Sequence, residues 1–258
     1  MEINQLKSLD MNTSITISLY DQVESLIEIP EMYVYLPKTA IHPTKAVVIC
    51  GGGGFNQVNI DHEGRQFAEW LVTIGIAGIV LNYRFPKGSM YLSETDLIKS
   101  IEIIKSKASE WNINKNNIGA AGFSIGGHIV ATLATKREYA SKPNFTLLFY
   151  PVISMRDNLT HEPSRKRLLG NAYSEKDIMK YSIEDHVSSR TPKALIMCSD
   201  DDKAVSSLNS IIYYERLKFN NIPSALYVFP VGGHGWGMKE EFIFHNEMLS
   251  LVEKWLKE

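Results

Sequence analysis

Gly122-Phe123-Ser124-Ile125-Gly126 closes the apolar run Ile118 to Ala121 and opens the apolar, glycine-containing stretch that follows it. A serine between two glycines at this spacing marks a sharp strand-to-helix turn. The serine there takes a strained backbone conformation, and the glycines on either side let neighbouring backbone pass close by. This reading sets Ser124 above a sheet, at the start of a helix. Five residues of this kind also arise by chance, so their weight depends on what surrounds them.

Outward from the turn, Ala46 to Cys50, Ala77 to Leu81, Ile118 to Ala121, Thr146 to Tyr150, Ala194 to Cys198 and Ala225 to Phe229 are short apolar runs, the texture of central parallel strands covered on both faces. Thr13 to Tyr20 and Met32 to Leu36 instead alternate apolar with polar side chains, as half-buried antiparallel strands at a sheet edge do. Between the runs lie segments with helical spacing: Phe67, Trp70, Leu71 and Ile74; Leu97, Ile101 and Ile104; Ile211, Tyr214 and Leu217; and the terminal stretch Phe242 to Leu256. Strand and helix alternate, which calls for an α/β fold, a mostly parallel central sheet with helices on both faces. Residues 154 to 190 break the alternation. A connection of that length is expected to form a small cap over the site within one domain spanning residues 1–258.

The totals restrict function. The chain has 258 residues, 44% hydrophobic and 22% charged, with a net charge of −2 and pI ≈ 6.4. That balance suits a soluble globular protein and gives no electrostatic case for nucleic acid or an anionic membrane surface. No window approaches the roughly 18 to 20 apolar residues of a membrane span. Met1 to Asp10 is polar rather than a charged and then apolar leader, so a cytoplasmic location is expected. Cys50 and Cys198, the two cysteines, each end a buried run and are expected as free thiols. No His and Cys cluster has metal-ligand spacing, so neither metal nor cofactor is expected.

In α/β hydrolases, where this turn recurs, the catalytic order along the chain is Ser, then Asp or Glu, then His. Of seven histidines, His234 and His245 follow the acidic loop Ser199-Asp200-Asp201-Asp202-Lys203-Ala204-Val205. His245 falls inside the terminal helical pattern. His234 sits in Gly232-Gly233-His234-Gly235-Trp236-Gly237, a glycine-rich loop after a strand, and is the expected base. Asp202 is the preferred acid, with Asp201 as the alternative and Asp200 last. A hydroxyl is a poor nucleophile until an imidazole takes its proton, and a carboxylate behind that imidazole fixes its tautomer. The developing oxyanion needs donors as well. Gly51-Gly52-Gly53-Gly54-Phe55 follows the run ending at Cys50, and the backbone N–H groups of Gly53, Gly54 and Ile125 are the expected oxyanion hole. As a phosphate loop the four glycines would need a Gly-Lys-Ser/Thr ending, which they lack. Phe55 and Trp236, flanked by glycine beside catalytic groups, are expected to touch substrate. His128 is expected to pack beneath the turn, and His62, Arg84 and His161 to be structural.

With these motifs in place, the chain resembles bacterial carbohydrate acetyl esterases of the α/β-hydrolase superfamily, the acetylxylan-esterase-like group. The likeness runs through Gly52-Gly53-Gly54-Phe55, His62-Glu63-Gly64, Phe67-Ala68-Glu69-Trp70-Leu71, Asn82-Tyr83-Arg84, Gly122 to His128, Tyr150-Pro151-Val152-Ile153-Ser154-Met155 and the acid and histidine loops. It implies a serine carboxylesterase that frees acetyl groups from xylose-type sugars or short oligosaccharides through an acyl-enzyme. Its partner would then be a small acetylated carbohydrate or other short-chain ester. Many relatives carry a smaller Ala at the position of Ile125, which implies a narrowed acyl space here. Three rival readings remain: a general short-chain carboxylesterase, an oligopeptidase-type serine peptidase, which usually carries a large gating domain, and a hydrolase-fold binding module that has lost its triad.

Overall fold

The alternating opening segments fold as β1 (Ile15–Ser18) and β2 (Glu31–Tyr35). The apolar runs become β3 (Thr44–Cys50), β4 (Ala77–Asn82), β5 (Ile113–Phe123), β6 (Phe145–Phe149), β7 (Lys193–Ser199) and β8 (Ser224–Phe229). The computed structural model describes residues 14–20, 29–86, 91–136 and 141–258; Thr13 and the polar stretch Met1 to Asp10 lie outside the described residues. The strands form one sheet in the order β1-β2-β4-β3-β5-β6-β7-β8. β1 with β2 and β2 with β4 are antiparallel, and every other neighbouring pair is parallel.

The apolar runs are buried because helices cover both faces of the sheet. On one face lie α1 (Gln66–Thr73) and α7 (His245–Lys257), whose Phe67, Leu71, Met248, Val252 and Leu256 join one apolar cluster. On the other lie α2 (Tyr91–Ser106), α3 (Ile125–Thr135) and α6 (Leu208–Phe219), through Leu97, Ile101, Ile129, Leu133, Tyr213 and Leu217. α3 is buried along its whole length, which explains why it is apolar all round rather than striped. β8 departs from the expectation for its run. As the outermost strand it has a partner on one side only, and Val228 is 40% exposed.

Residues 154 to 190 contain α4 (Glu162–Leu169), α5 (Glu175–Tyr181) and a 3-10 turn, Ile183–His186. Polar side chains tie the segment together and fasten its start to the body of the fold. The Arg165 guanidinium donates to the Met155 carbonyl at 2.9 Å, the Ser182 hydroxyl accepts from the Met155 N–H at 3.1 Å, and Asn209 Oδ1 accepts the Ile153 and Ser154 N–H groups, each at 3.0 Å. From beneath, fully buried His128 donates Nε2–H to the Tyr181 carbonyl at 2.9 Å. It packs under the turn, as expected.

Burial lowers the His128 imidazole from 6.5 to about 4, against the opposing pull of its carbonyl partner. An unfolded chain would bind a proton there at about 6.5, so between the two values only the unfolded state is protonated. Stability from the neutral imidazole is therefore complete above about pH 6.5 and is lost as pH falls toward 4, by about 3 kcal/mol. Urea midpoints measured at pH 7 and pH 4.5 should fall apart more in the wild type than in His128→Gln, which keeps a donor but cannot charge. Equal pH dependence in both proteins would remove His128 as the cause.

Candidate active site

Ser124 joins β5 to α3 with φ 52° and ψ −119°, a conformation that costs a non-glycine residue about 1–3 kcal/mol. The surrounding backbone imposes it. The Ser124 N–H donates to the Phe149 carbonyl at 3.0 Å, and the Ser124 carbonyl accepts from Gly127 and Val152, each at 3.0 Å. A Cβ on Gly122 would stand 2.5 Å from the Gly126 carbonyl oxygen, and one on Gly126 would run into the Cys50 carbonyl, so the turn closes only with glycine at both places.

His234 and Asp202 reach Ser124 from the ends of β8 and β7. His234 Nε2 lies 2.8 Å from Ser124 Oγ, and its Nδ1 lies 2.6 Å from Asp202 Oδ2. The other Asp202 oxygen accepts the N–H groups of Ala204 and Val205, each at 2.9 Å, which fixes a carboxylate whose side chain has no solvent exposure. Asp201, the alternative acid, instead accepts the Gly233 N–H at 2.7 Å and braces the histidine loop. Asp200 is exposed. The structure thus brings Ser124, His234 and Asp202 together in one hydrogen-bonded line.

Gly53 and Gly54 take φ of 120° and 63°, which turns the loop after β3 across the mouth of the serine turn. The loop is held by the Asn56 N–H on the Gly53 carbonyl and the Asn59 N–H on the Gly52 carbonyl, both at 3.0 Å. Among the described residues, the N–H groups of Gly53, Gly54 and Ile125 donate to no acceptor, whereas that of Gly52 is taken by Glu63 at 2.7 Å. Unengaged backbone donors beside a serine hydroxyl are the arrangement an oxyanion site requires.

A cavity of about 560 Å³ opens over Ser124 and His234. Polar side chains line it: Asn56, Gln57 and Asn59 from the loop after β3, His161 and Arg167 from the 154–190 segment, and His62, Glu63 and Lys239. Arg167 leans in from α4 and donates to the Gly54 carbonyl at 3.0 Å. His161 is pushed below its ordinary value by burial, with the neighbouring His234 and Arg167 adding to the shift.

Three expectations need correction. Phe55 and Trp236 are each 3% exposed and do not line the cavity. The Trp236 ring turns back into the core, stacks on Phe242 at 4.4 Å and donates its indole N–H to Ser199 Oγ at 3.0 Å. Ile125 is fully buried in the cluster beneath the sheet, so its side chain does not narrow the acyl space. His62 and His161, expected as structural, line the cavity, while Arg84 pairs with buried Asp96 at 2.5 Å and is structural as expected. His245 opens α7 and lines a neighbouring cavity with Asp61, Glu240 and Glu241. Both cysteines are free and buried, and burial pushes both thiols up, Cys198 to about 11.

Behind the loop after β3, and bordering the cavity, sits a carboxylate that the sequence marks only as part of His62-Glu63-Gly64, with no role attached. Glu63, 1% exposed, lies in a π-helical turn, Asp61–Arg65. One of its oxygens accepts Gly52 N–H at 2.7 Å and Asn59 Nδ2 at 3.1 Å, and the other accepts the Tyr150 hydroxyl at 2.7 Å. Tyr150 Oη in turn accepts the Gly237 N–H at 2.9 Å, and the Tyr150 ring meets the His234 ring edge to face at 4.8 Å.

A family profile described as BD-FAE matches residues 32–217. Among curated proteins, an acetylxylan esterase of Xylanibacter ruminicola is 37% identical over 232 residues, covering 88% of this chain and 48% of that protein. An endo-1,4-beta-xylanase B of Butyrivibrio fibrisolvens is 30% identical over 233 residues, covering 84% of this chain and 36% of that protein. The chain therefore spans half or less of the length of these curated relatives. Among solved structures, an acetyl ester-xyloside bifunctional hydrolase from Caldicellulosiruptor lactoaceticus has a TM-score of 0.87 at 28% identity, covering 94% of this chain and 95% of that one. The carboxylesterase Cest-2923 from Lactobacillus plantarum, at 20% identity, TM-score 0.77 and coverage of 95% and 97%, shares the fold.

Proposed function

The chain belongs to the BD-FAE family of α/β hydrolases, and on that premise we propose that it is a serine carboxylesterase removing acetyl groups from xylose-type sugars or short oligosaccharides. The observation that carries the reading is the line from Ser124 Oγ through His234 to Asp202, at 2.8 and 2.6 Å, beside backbone donors that have no acceptor among the described residues. His234 Nε2 takes the Ser124 proton as Oγ attacks the ester carbonyl. Asp202 holds the proton on Nδ1 and stabilises the imidazolium that forms. The N–H groups of Gly53, Gly54 and Ile125 receive the oxyanion, and each such donor contributes about 3 to 4 kcal/mol to the transition state. The imidazolium then protonates the departing sugar oxygen, leaving acetyl on Ser124. Water, activated by the same imidazole, frees acetate.

The amides, guanidinium and imidazoles of the cavity wall suit a hydroxyl-rich leaving group, and the named acetylxylan esterase and acetyl ester-xyloside hydrolase relatives point the same way. The 154–190 segment acts in this reading as the cap that supplies part of that wall. The test is turnover of p-nitrophenyl acetate, butyrate and octanoate alongside acetylated xylose, with an aminoacyl amide for comparison and Ser124→Ala as the blank. Acetate and the acetylated sugar should be hydrolysed at least tenfold faster than octanoate, and the amide should be untouched. A preference for octanoate would make the protein a general esterase, and amide cleavage would make it a peptidase.

A further inference from the structure

We propose that Glu63 is a positioning residue that sets the oxyanion loop and the histidine loop in register with each other through Tyr150. The inference rests on the esterase reading and goes beyond it, because the triad chemistry makes no use of this group. A carboxylate with 1% exposure is costly to bury, and it persists where its oxygens are fully occupied. The partners of Glu63 belong to two structures that must meet at one carbonyl carbon. Oε2 binds the N–H of Gly52, the residue directly before the oxyanion donors Gly53 and Gly54, and also the amide of Asn59, which closes the same loop. Oε1 binds the Tyr150 hydroxyl, and that oxygen binds the Gly237 N–H at the far end of the loop carrying His234.

The geometry leaves the connection little slack. Tyr150 is held at φ 38°, its N–H donates to the Met197 carbonyl at 2.6 Å, and its ring is fully packed. Its hydroxyl therefore has a fixed address. A Cβ on Gly52 would stand 2.8 Å from Glu63 Oε2 and 2.9 Å from Ser124 Cβ, so the loop, the carboxylate and the serine turn touch at one point. One on Gly237 would meet the His62 carbonyl at 2.7 Å, which pins the histidine loop against the turn that bears Glu63. Donors and base are thus referred to a common anchor, and catalysis is sensitive to displacements of about 1 Å between such groups.

Replacing the carboxylate by an amide separates this role from bulk packing. Glu63→Gln keeps the volume and one acceptor for Gly52, but it presents an N–H to the Tyr150 hydroxyl, whose proton then has nowhere to go. The measurement is kcat on p-nitrophenyl acetate, expressed per serine titrated by an alkyl p-nitrophenyl phosphonate, with KM and the pH profile of kcat/KM, for Glu63→Gln, Tyr150→Phe and the double variant. A positioning role predicts kcat per titrated serine lower by roughly ten- to hundredfold. KM should change little, the acid limb of the pH profile should move, and the two single effects should not add in the double variant. A purely structural role lowers the fraction of titratable serine and leaves kcat per titrated serine and the pH profile as they were. That result, or a Glu63→Gln kcat within threefold of wild type, overturns the proposal while the esterase reading stands. If the wild type neither turns over the acetate nor reacts with the phosphonate, both readings fail together.

Discussion

Ser124→Ala should abolish ester turnover, lowering kcat on p-nitrophenyl acetate by about six orders of magnitude, to the level left by binding and the oxyanion donors. The size of the effect follows from its position. Ser124 Oγ is the atom on which the His234 imidazole is aligned, at 2.8 Å, so the proposed acyl transfer goes through it. The variant should fold normally. The bonds that hold the turn are those of the Ser124 N–H and carbonyl, which alanine retains, and among the described residues the hydroxyl meets His234 alone. Melting temperatures within a few degrees of each other, together with the kinetic loss, would place the effect in chemistry. Activity within a hundredfold of wild type would exclude Ser124 as the nucleophile.

Asp202→Asn should cost about 10⁴ in kcat while Asp201→Asn costs less than about tenfold. The two residues are neighbours with different tasks. Asp202 faces His234 Nδ1 and must remain an acceptor, because the proton on Nδ1 is what keeps Nε2 free to take the serine proton. Its Oδ1 is already committed to Ala204 and Val205, so an asparagine would keep its carbonyl oxygen there and turn its NH₂ toward the imidazole. That reverses the tautomer. Asp201 accepts the Gly233 N–H, and an asparagine oxygen can do the same. The pair of kcat values separates the two acids in one experiment. Equal losses would mean that the acid is shared or misassigned.

The sheet and the reaction line were legible because they rest on local signals. The runs from Ala46, Ala77, Thr146 and Ala194 announce buried parallel strands by composition. Ser124, Asp202 and His234 each follow such a run, in an order that one fold uses. The cavity wall was illegible for the opposite reason. Arg167 reaches Gly54 from a position 113 residues away, and Asn56, Gln57 and Asn59 become wall residues only because their loop folds back on Gly52 and Gly53. Phe55 and Trp236 misled because glycine beside an aromatic suggested an open loop. The glycines instead let the chain reverse, with Gly232, Gly233 and Gly235 all at positive φ, and the reversal drives the indole inward. β5 shows a milder version, since its start, Ile113 to Asn117, is mostly polar and carries no apolar run to mark it as strand.

The glycines around Ser124 have a consequence for descent. Their Cβ atoms are forbidden by the Cys50 and Gly126 carbonyls, which belong to the backbone and not to any reacting group. A descendant that lost the hydroxyl would meet the same steric prohibition and would keep both glycines, while nothing in the packing would oblige it to keep Ser124 or His234. The pentapeptide therefore records two histories at unequal rates, and in a lineage drifting away from hydrolysis the frame of the motif would outlive its centre.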